Sequence, residues 1–302
     1  MDSNFKSGFV AIVGRPNVGK STLLNSLMGA KIAIITNKPQ TTRNNIRGII
    51  TNEDCQVVFI DTPGIHKPKD KLSENMVKMA DNTIKDGDIV LFVTSPAEKS
   101  DIHPADKDIL EGLAKKSGKK FLVINKIDTV SKDRLLPITQ AYNEACKFDE
   151  TFPISALKGQ NLLALKEHIF ENLPQGPKYF PDDMSTDSPD EFLVAEMIRE
   201  KALYLLQEEI PHGINVEVSS LKARKDKDIV DIEATIYCEK NSHKGMVIGK
   251  NGAMLKEIGT RARKDIQRLY EDKVNLQLWV KIKENWRDSD FFMRSFGFKA
   301  DK

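Results

Sequence analysis

Residues 14–21 read Gly-Arg-Pro-Asn-Val-Gly-Lys-Ser, directly after the apolar run Phe9-Val10-Ala11-Ile12-Val13 and before a helix-forming stretch over 22–28. A Gly-x-x-x-x-Gly-Lys-Ser loop between a strand and a helix has a specific physical use. Its backbone N–H groups and those of the following helix N-terminus point into one concavity and hold phosphate oxygens. The pattern assigns the β- and γ-phosphates to Lys20 and a Mg²⁺ ion to Ser21. Gly14, Arg15, Pro16, Asn17, Val18, Gly19, Lys20, Ser21 and Thr22 are therefore candidate nucleotide ligands.

Three more segments follow in order, each after a strand-like run. Asp61-Thr62-Pro63-Gly64 ends the run Val57-Val58-Phe59-Ile60. An aspartate there holds the metal through water, and the Gly64 N–H is placed to meet a γ-phosphate. Asn125-Lys126-Ile127-Asp128 follows Phe121-Leu122-Val123-Ile124. The Asp128 carboxylate can accept from guanine at N1–H and at the exocyclic amine. Adenine offers neither donor, and a desolvated carboxylate left unmatched costs about 1–3 kcal/mol or more. Ser155-Ala156-Leu157 follows Phe152-Pro153-Ile154, and its backbone is expected to meet the guanine carbonyl. Four such segments in this order predict a domain that binds and hydrolyses GTP with Mg²⁺. Lys20, Ser21, Asp61 and Gly64 are its candidate catalytic groups.

At 302 residues the chain suggests two domains. Strand-like runs alternate with helical patterns up to about residue 173, which predicts βαβ units in a mostly parallel, doubly wound sheet. The expected boundaries are 1–175 for this α/β domain and 176–188 for a linker rich in proline and glycine. A smaller α+β domain follows over 189–302. Its first helix, 189–209, is expected to start with Ser188 as N-cap, Pro189 in the first turn and Glu191 closing a capping box. The net charge of +2 excludes a general polycation. The absence of a long apolar run speaks against a membrane span, and the first residues lack the apolar core of a secretory signal. Cys55, Cys146 and Cys238 form no metal spacing and are expected to be reduced thiols of a cytosolic protein.

The second domain reads helix, strand (214–221), strand (229–238), helix, turn, helix (253–270), strand (276–283). The turn is Gly249-Lys250-Asn251-Gly252. A G-x-x-G turn between two helices lets the chain approach and clamp about four nucleotides of a nucleic-acid backbone. Residues 240–268 hold eight Lys/Arg against two Asp/Glu. Leu255, Ile258, Ala262, Ile266 and Leu269 follow helical spacing and are expected to face the core, with Lys256, Arg263 and Lys264 off that stripe. Lys244, Val247, Ile248, Gly249, Lys250, Asn251, Gly252, Lys256, Arg263 and Lys264 are the candidate RNA-binding residues, with Val247, Ile248 and the Lys250 stem offering a surface for splayed bases. The competing reading makes this basic domain a dock for a protein or an anionic membrane.

The blocks GRPNVGKSTLLNSL, PQTTRNNIRGI, DTPGIHKPK, NKID, VAEMIREKAL, KGMVIGKNGAMLKEIGTRARKDI and VNLQLWVKIKENWR together resemble the Era family of bacterial GTPases. These carry a GTPase domain of the TrmE-Era-EngA type and then a type II KH domain, and the resemblance covers nearly the whole chain. It implies binding of 16S rRNA near its 3′ end and a part in late maturation of the 30S subunit. It also implies a cytoplasmic protein with some peripheral association with the inner face of the membrane. Within Gln40-Thr41-Thr42-Arg43 it gives the Mg²⁺-binding, catalytic role of the first switch segment to Thr42, with Thr41 as the alternative. One departure from the family lies in the turn, and a separate gap concerns catalysis. Asn251 takes a place where the family more often has glycine, and asparagine tolerates the positive φ needed there. Ile65 stands where Ras-like enzymes carry the water-orienting glutamine, so turnover is expected to be slow alone. Asn17 is a candidate K⁺ ligand in place of an arginine finger.

Overall fold

The computed structural model describes residues 4–97, 101–207, 209–225 and 227–298. The apolar runs of the first half become the strands β1 (Lys6–Val13), β3 (Cys55–Asp61), β4 (Ile89–Thr94) and β5 (Lys119–Ile124). With β2 (Ile46–Thr51) and β6 (Glu150–Pro153) they form one sheet, ordered β2-β3-β1-β4-β5-β6. Only β2 runs antiparallel, at the edge beside β3. Both faces are covered, which is why β3 and β4 are buried at every residue. The two-residue period of β1 sorts its side chains between the faces. Val10 and Ile12 pack with Leu23, Leu24 and Leu27 of α1 (Lys20–Met28) and with Leu165 and Ile169 of α5 (Leu162–Glu171). Ala11 and Val13 pack with Ile109, Leu110 and Leu113 of α3 (Lys107–Ala114) and with Ile138 and Tyr142 of α4 (Leu135–Ala145).

The second domain has the expected α-β-β-α-α-β order: α6 (Asp190–Leu205), β7 (Ile214–Ala223), β8 (Ile229–Cys238), α7 (Asn241–Ile248), α8 (Ala253–Tyr270) and β9 (Lys273–Ile282). β7 and β8 are antiparallel, β8 and β9 parallel. A short α9 (Asp290–Ser295) closes the described chain. Three local expectations fail. Ser188 does not cap α6: Pro189 is the N-cap, without a side-chain bond, and the proposed capping box is absent. Pro189 is fixed in an extended conformation, its carbonyl accepts from Phe192 and Leu193, and Asp190 and Glu191 meet the helix dipole instead. The helix also stops at Leu205, because Leu206 turns extended into the apolar core and Pro211 stands just beyond. Leu269 lies 40 % exposed in the last turn of α8, off the inward stripe.

The proline-rich connection is not a free tether. Gly176 donates to the Phe5 carbonyl and Ile49 to that of Ser185. The buried Gln56 amide accepts from the N–H groups of Tyr179 and Phe180 and donates to the Phe180 carbonyl. Two apolar seams join the domains. Ile34 enters the core formed by α6, α8 and the second sheet. Leu72, Met76 and Met79 of α2 (Lys71–Asp86) pack with Trp286, Met293 and Phe298.

Beneath the β1–α1 loop, Arg15 donates through Nη1 to Asp106 Oδ2 at 2.7 Å and to Thr94 Oγ1 at 2.8 Å. Thr94 and Tyr142 donate to the same carboxylate oxygen, each at 2.7 Å. Burial and the Asp106 charge push the Tyr142 hydroxyl up to about 12. Asp106 is fully buried, so Asp106→Ala leaves a guanidinium without its counter-charge. The expected cost is about 3–5 kcal/mol of unfolding free energy, with Asp106→Asn losing less. Urea denaturation of the two variants checks it.

Candidate nucleotide and nucleic-acid sites

The four nucleotide segments arrive at one edge of the first sheet because each follows the C-terminal end of a parallel strand. A small cleft of about 60 Å³ lies between the glycine loop and residues 34–42, lined among others by Lys20, Ser21, Thr42 and Gly64. A second cleft of about 490 Å³ shares Asn17, Gly19 and Thr22 with it and runs to Asn125, Asp128, Ser155 and Leu157. One end is thus lined for phosphates and the other for a base.

At the phosphate end Lys20 Nζ donates to the carbonyls of Gly14 and Arg15 at 3.0 and 3.1 Å. Ser21 Oγ lies 2.6 Å from Asp61 Oδ2 and 2.9 Å from Thr42 Oγ1, and Thr42 Oγ1 is 3.4 Å from Asp61 Oδ2. Three hard oxygen ligands meeting in this way suit Mg²⁺. Asp61 Oδ1 is buried and has no hydrogen-bond partner, an unsatisfied acceptor that a cation would satisfy. Charge tells the same story. Burial pushes the Asp61 carboxyl up to about 6 against the pull of Lys20, Ser21 and Thr42, and it brings Lys20 down to about 8 against the pull of Asp61. Each charge is under-compensated, one needing a cation and the other an anion. Of the two candidate threonines only Thr42 reaches this cluster. Thr41 Oγ1 is turned to Thr36 Oγ1 and the Lys38 carbonyl.

Gly64 is required by close approach: a Cβ there would stand 2.7–2.8 Å from Pro16 ring and backbone atoms. That contact, with the Ile65 N–H donating to the Gly14 carbonyl at 3.2 Å, seats the second switch segment on the glycine loop. Ile65 itself packs into the α3/α4 core. Two candidate ligands point elsewhere with their side chains. Arg15 is held below the loop by Asp106, and Thr62 Oγ1 donates to the Ile12 carbonyl at 2.8 Å. Their side chains serve the scaffold, because each finds a buried partner inward. Val18 is likewise a core side chain.

At the base end, Asn125 is mainly a brace. Its amide donates to the Val18 carbonyl at 2.8 Å and accepts from the Lys126 and Ala156 N–H groups at 2.8 and 2.9 Å. The Ala156 N–H is therefore engaged by Asn125. Lys126 Nζ reaches the Asn17 carbonyl at 2.6 Å. Asp128 and Leu157 are exposed at the cleft, the carboxylate for base edges and the leucine as an apolar wall. Asn17 Nδ2 donates to the Asn37 carbonyl at 3.3 Å.

On the second domain, Gly249, Asn251 and Gly252 all have positive φ (72°, 52° and 77°), so asparagine holds a left-handed turn residue here. A Cβ on Gly249 would meet Met254 N at 2.9 Å. A groove of about 410 Å³ runs from Gly252 along Lys256, Gly259 and Arg263, with Leu276 and Leu278 of β9 as its floor. Lys250 and Asn251 are exposed at its head and Ile248 is half-buried. Of the candidates, Gly252, Lys256 and Arg263 line it, and two others lie plainly elsewhere. Val247 is fully buried in the core, and the exposed apolar side chain of that turn is Met246, 49 % exposed. Lys264, one residue past Arg263, is turned about 100° around the helix and lines another groove with Lys31, Tyr204 and Arg268. Lys244 is half-buried on α7.

The residues that sequence reasoning missed are arginines and bridging groups. Arg43 and Arg199 lie buried beside the first switch segment. Gln40 Nε2 meets His66 Nε2 at 3.0 Å, linking the two switch segments. The available signal for Arg199 was a charged pair, Arg199 and Glu200, set among the apolar residues Val194, Ala195, Met197, Ile198, Ala202 and Leu203 that α6 buries.

Comparison with known proteins agrees with this fold. Residues 9–126 match the family model of the 50S ribosome-binding GTPases, and residues 209–287 match the KH domain model. GTPase Era of Clostridioides difficile is 55 % identical over 295 residues, covering 97 % of this chain and 99 % of that protein. GTPase Era of Caldanaerobacter subterraneus subsp. tengcongensis is 52 % identical over 298 residues, covering 99 % of each. Among solved structures, Era in complex with MgGDPNP and nucleotides 1506–1542 of 16S ribosomal RNA superposes with a TM-score of 0.93 at 40 % identity, over 97 % of this chain and 99 % of that one. A variant of Aquifex aeolicus Era bound to GDP.AlF4- gives the same values. With its glycine loop, guanine-binding segments and KH turn all in place along one chain, this protein belongs to the GTPase Era family.

Proposed function

We propose that this chain hydrolyses GTP to GDP and phosphate at the Lys20–Ser21–Thr42–Asp61 cluster. In the same reading it binds the 3′ region of 16S rRNA along the Gly252–Arg263 groove and assists assembly of the 30S subunit as a nucleotide-controlled switch. The observation that carries it is the convergence of Ser21, Thr42 and the unsatisfied Asp61 beneath Lys20, with a base cleft beside it. Phosphoryl transfer needs positioning and charge neutralisation more than covalent chemistry. The loop N–H groups and Lys20 would hold the β- and γ-phosphates, and Ser21, Thr42 and Asp61 would hold Mg²⁺. Bound Mg²⁺ neutralises charge on the phosphate oxygens. Gly64 senses the γ-phosphate, Asp128 selects guanine, and hydrolysis releases both switch segments.

Ile65 carries no group that could orient the attacking water, and it packs into the core, which leaves the other groups lining the site as candidates for that role. Asn17 lines both clefts and its amide nitrogen donates to the Asn37 carbonyl, so the amide oxygen is the atom of that side chain able to ligate a cation. We assign that oxygen to K⁺. An arginine finger supplies about 10³–10⁵ in rate, and K⁺ is expected to supply part of this. Turnover should be faster in K⁺ than in Na⁺, and Asn17→Ala should lose the difference. Equal rates in both salts overturn the assignment.

RNA binding is checked with the doubly charge-reversed variant Lys250→Glu, Arg263→Glu. It is expected to lose binding to single-stranded RNA matching the 3′ end of 16S rRNA while GTP turnover without RNA stays intact. The single variants Lys250→Glu and Arg263→Glu should each lower the salt slope of binding by about 0.7, the single-strand value per phosphate contact. Among the described residues no helix is long and apolar enough to cross a membrane. The peripheral membrane contact implied by the resemblance rests on the basic surface alone, and anionic vesicles in the same assay distinguish it: vesicle binding without RNA binding would favour the docking reading.

A further inference from the structure

Thr42, the hydroxyl of the nucleotide site that belongs to the first switch segment, is flanked by two residues that the other domain holds. The Thr41 carbonyl accepts from Arg199 Nη2 on α6. The Arg43 guanidinium donates to the carbonyls of Ile214, His212 and Pro211 at 2.6, 3.0 and 3.4 Å. It lies 5.6 Å from the centre of the Trp286 ring, whose Nε1 donates to the Gly213 carbonyl at 3.1 Å. Arg43 and Arg199 are 2 % and 1 % exposed. Arg199 is fixed in turn by Glu196, at 2.6 and 2.5 Å. The start of the same segment is tied to α6 as well, since the Ile35 N–H donates to Glu200 Oε1 at 3.0 Å and Lys31 reaches Glu200 Oε2 at 2.6 Å.

We propose that Arg199, together with Arg43, is a positioning residue for GTP hydrolysis: the second domain sets Thr42 on Ser21 and Asp61 and so completes the nucleotide site. This rests on the GTPase reading above. Docking of the domains alone does not require it, because Ile34 against α6 and Trp286 against α2 already join them through apolar contact. What the two guanidinium groups add is direction. Residues 41 and 43 are clamped on either side of residue 42, which leaves the Thr42 backbone little freedom and its hydroxyl one place to go. Thr42 matters when a γ-phosphate and its metal are bound, whereas the loop, Lys20 and Ser21 serve GDP and GTP alike. The signature is therefore selective: loss of the clamp weakens the GTP state and spares the GDP state. Thermodynamic reciprocity makes the traffic two-way, so a ligand that shifts α6 or the start of β7 alters GTP binding by the same factor.

The test uses the full chain with Arg199→Met and fluorescent GDP and a non-hydrolysable fluorescent GTP analogue, at several Mg²⁺ concentrations. The expected result is GDP affinity within about twofold of the unsubstituted protein and analogue affinity lower by about tenfold, the measure of one lost charge-assisted hydrogen bond. Raised Mg²⁺ should recover part of the loss, kcat for GTP should fall alongside, and Arg199→Lys should restore part of both. If Arg199→Met melts below the assay temperature, Arg199→Lys and Arg43→Lys carry the test, with the same selectivity at smaller size. Equal losses for GDP and analogue, or no loss for either, overturn the inference. Failure of the unsubstituted protein to bind the analogue or turn over GTP would instead overturn the GTPase reading.

Discussion

The loop between β1 and α1 has to keep its backbone donors for a ligand, so other parts of the fold must hold it. Its supports are all visible. Arg15 anchors it from below to Asp106, Thr94 and Ser95. Asn125 takes the Val18 carbonyl and Lys126 the Asn17 carbonyl from the base side. Gly64 lies against Pro16 from the other switch. Each support comes from the C-terminal end of a different parallel strand or the loop after it, the one edge of a doubly wound sheet where such groups gather. Several motif residues that look like ligands are thus braces first. Asn125 joins three of the four nucleotide segments through one amide, and removing it would loosen the site without touching a phosphate.

The second constraint is the burial of positive charge between the domains. Burial and the neighbouring Arg199 press the Arg43 pKa down, and neither guanidinium is fully satisfied: Arg43 Nε and Arg199 Nη1 are buried without partners. Buried ionic groups of this kind seldom add stability over an apolar packing of the same volume. What they add here is a directional contact: the Arg43 fork reaches the carbonyls of Pro211, His212 and Ile214 together. The apolar seams supply the attraction and the arginines supply the alignment. Arg287 adds a third tie, donating to Glu239 at 2.8 and 2.9 Å and to Asp70 at 2.9 Å, where Asp70 also caps α2.

Much of this was legible in the chain before any coordinates. Short uninterrupted Val/Ile/Leu/Phe runs bounded by turn residues fit strands buried on both faces, and the motif after each parallel one then falls on one edge of the sheet. The positive φ of Asn251 follows from the turn that its neighbouring glycines require. The misreadings have a common cause: sequence gives residue type and spacing but not the side a neighbour occupies. Val247 precedes the turn and is apolar, but α7 presents it to the core and leaves Met246 outside. Arg263 and Lys264 are adjacent in sequence and about 100° apart on the helix. Arg15 sits inside a phosphate motif and points away from it. Arg43 was invisible as a functional group because its hydrogen-bond partners are backbone carbonyls, which carry no sequence signal, and the Glu196–Arg199 pair reads in sequence as an ordinary i,i+3 helix pair.

The placement of these ties explains how a small change at a phosphate can matter to a distant groove. Residues 31–43 touch α6, the segment 211–214 and, through Arg43, Trp286. The Asp70 end of the second switch touches Arg287 beside that same tryptophan. Both nucleotide-sensing segments therefore converge on one short region between α6 and β7 and on the chain after β9. α6 packs on α8, the helix that carries Lys256 and Arg263, within a shared core that includes Val194, Ile198, Ile258 and Ile266. A close-packed core transmits strain rather than absorbing it, and α6 is the element on which the first switch segment and the groove helix both pack. In the proposed switch, a ligand that fixed the position of α6 would therefore bias the other site by an equal free energy.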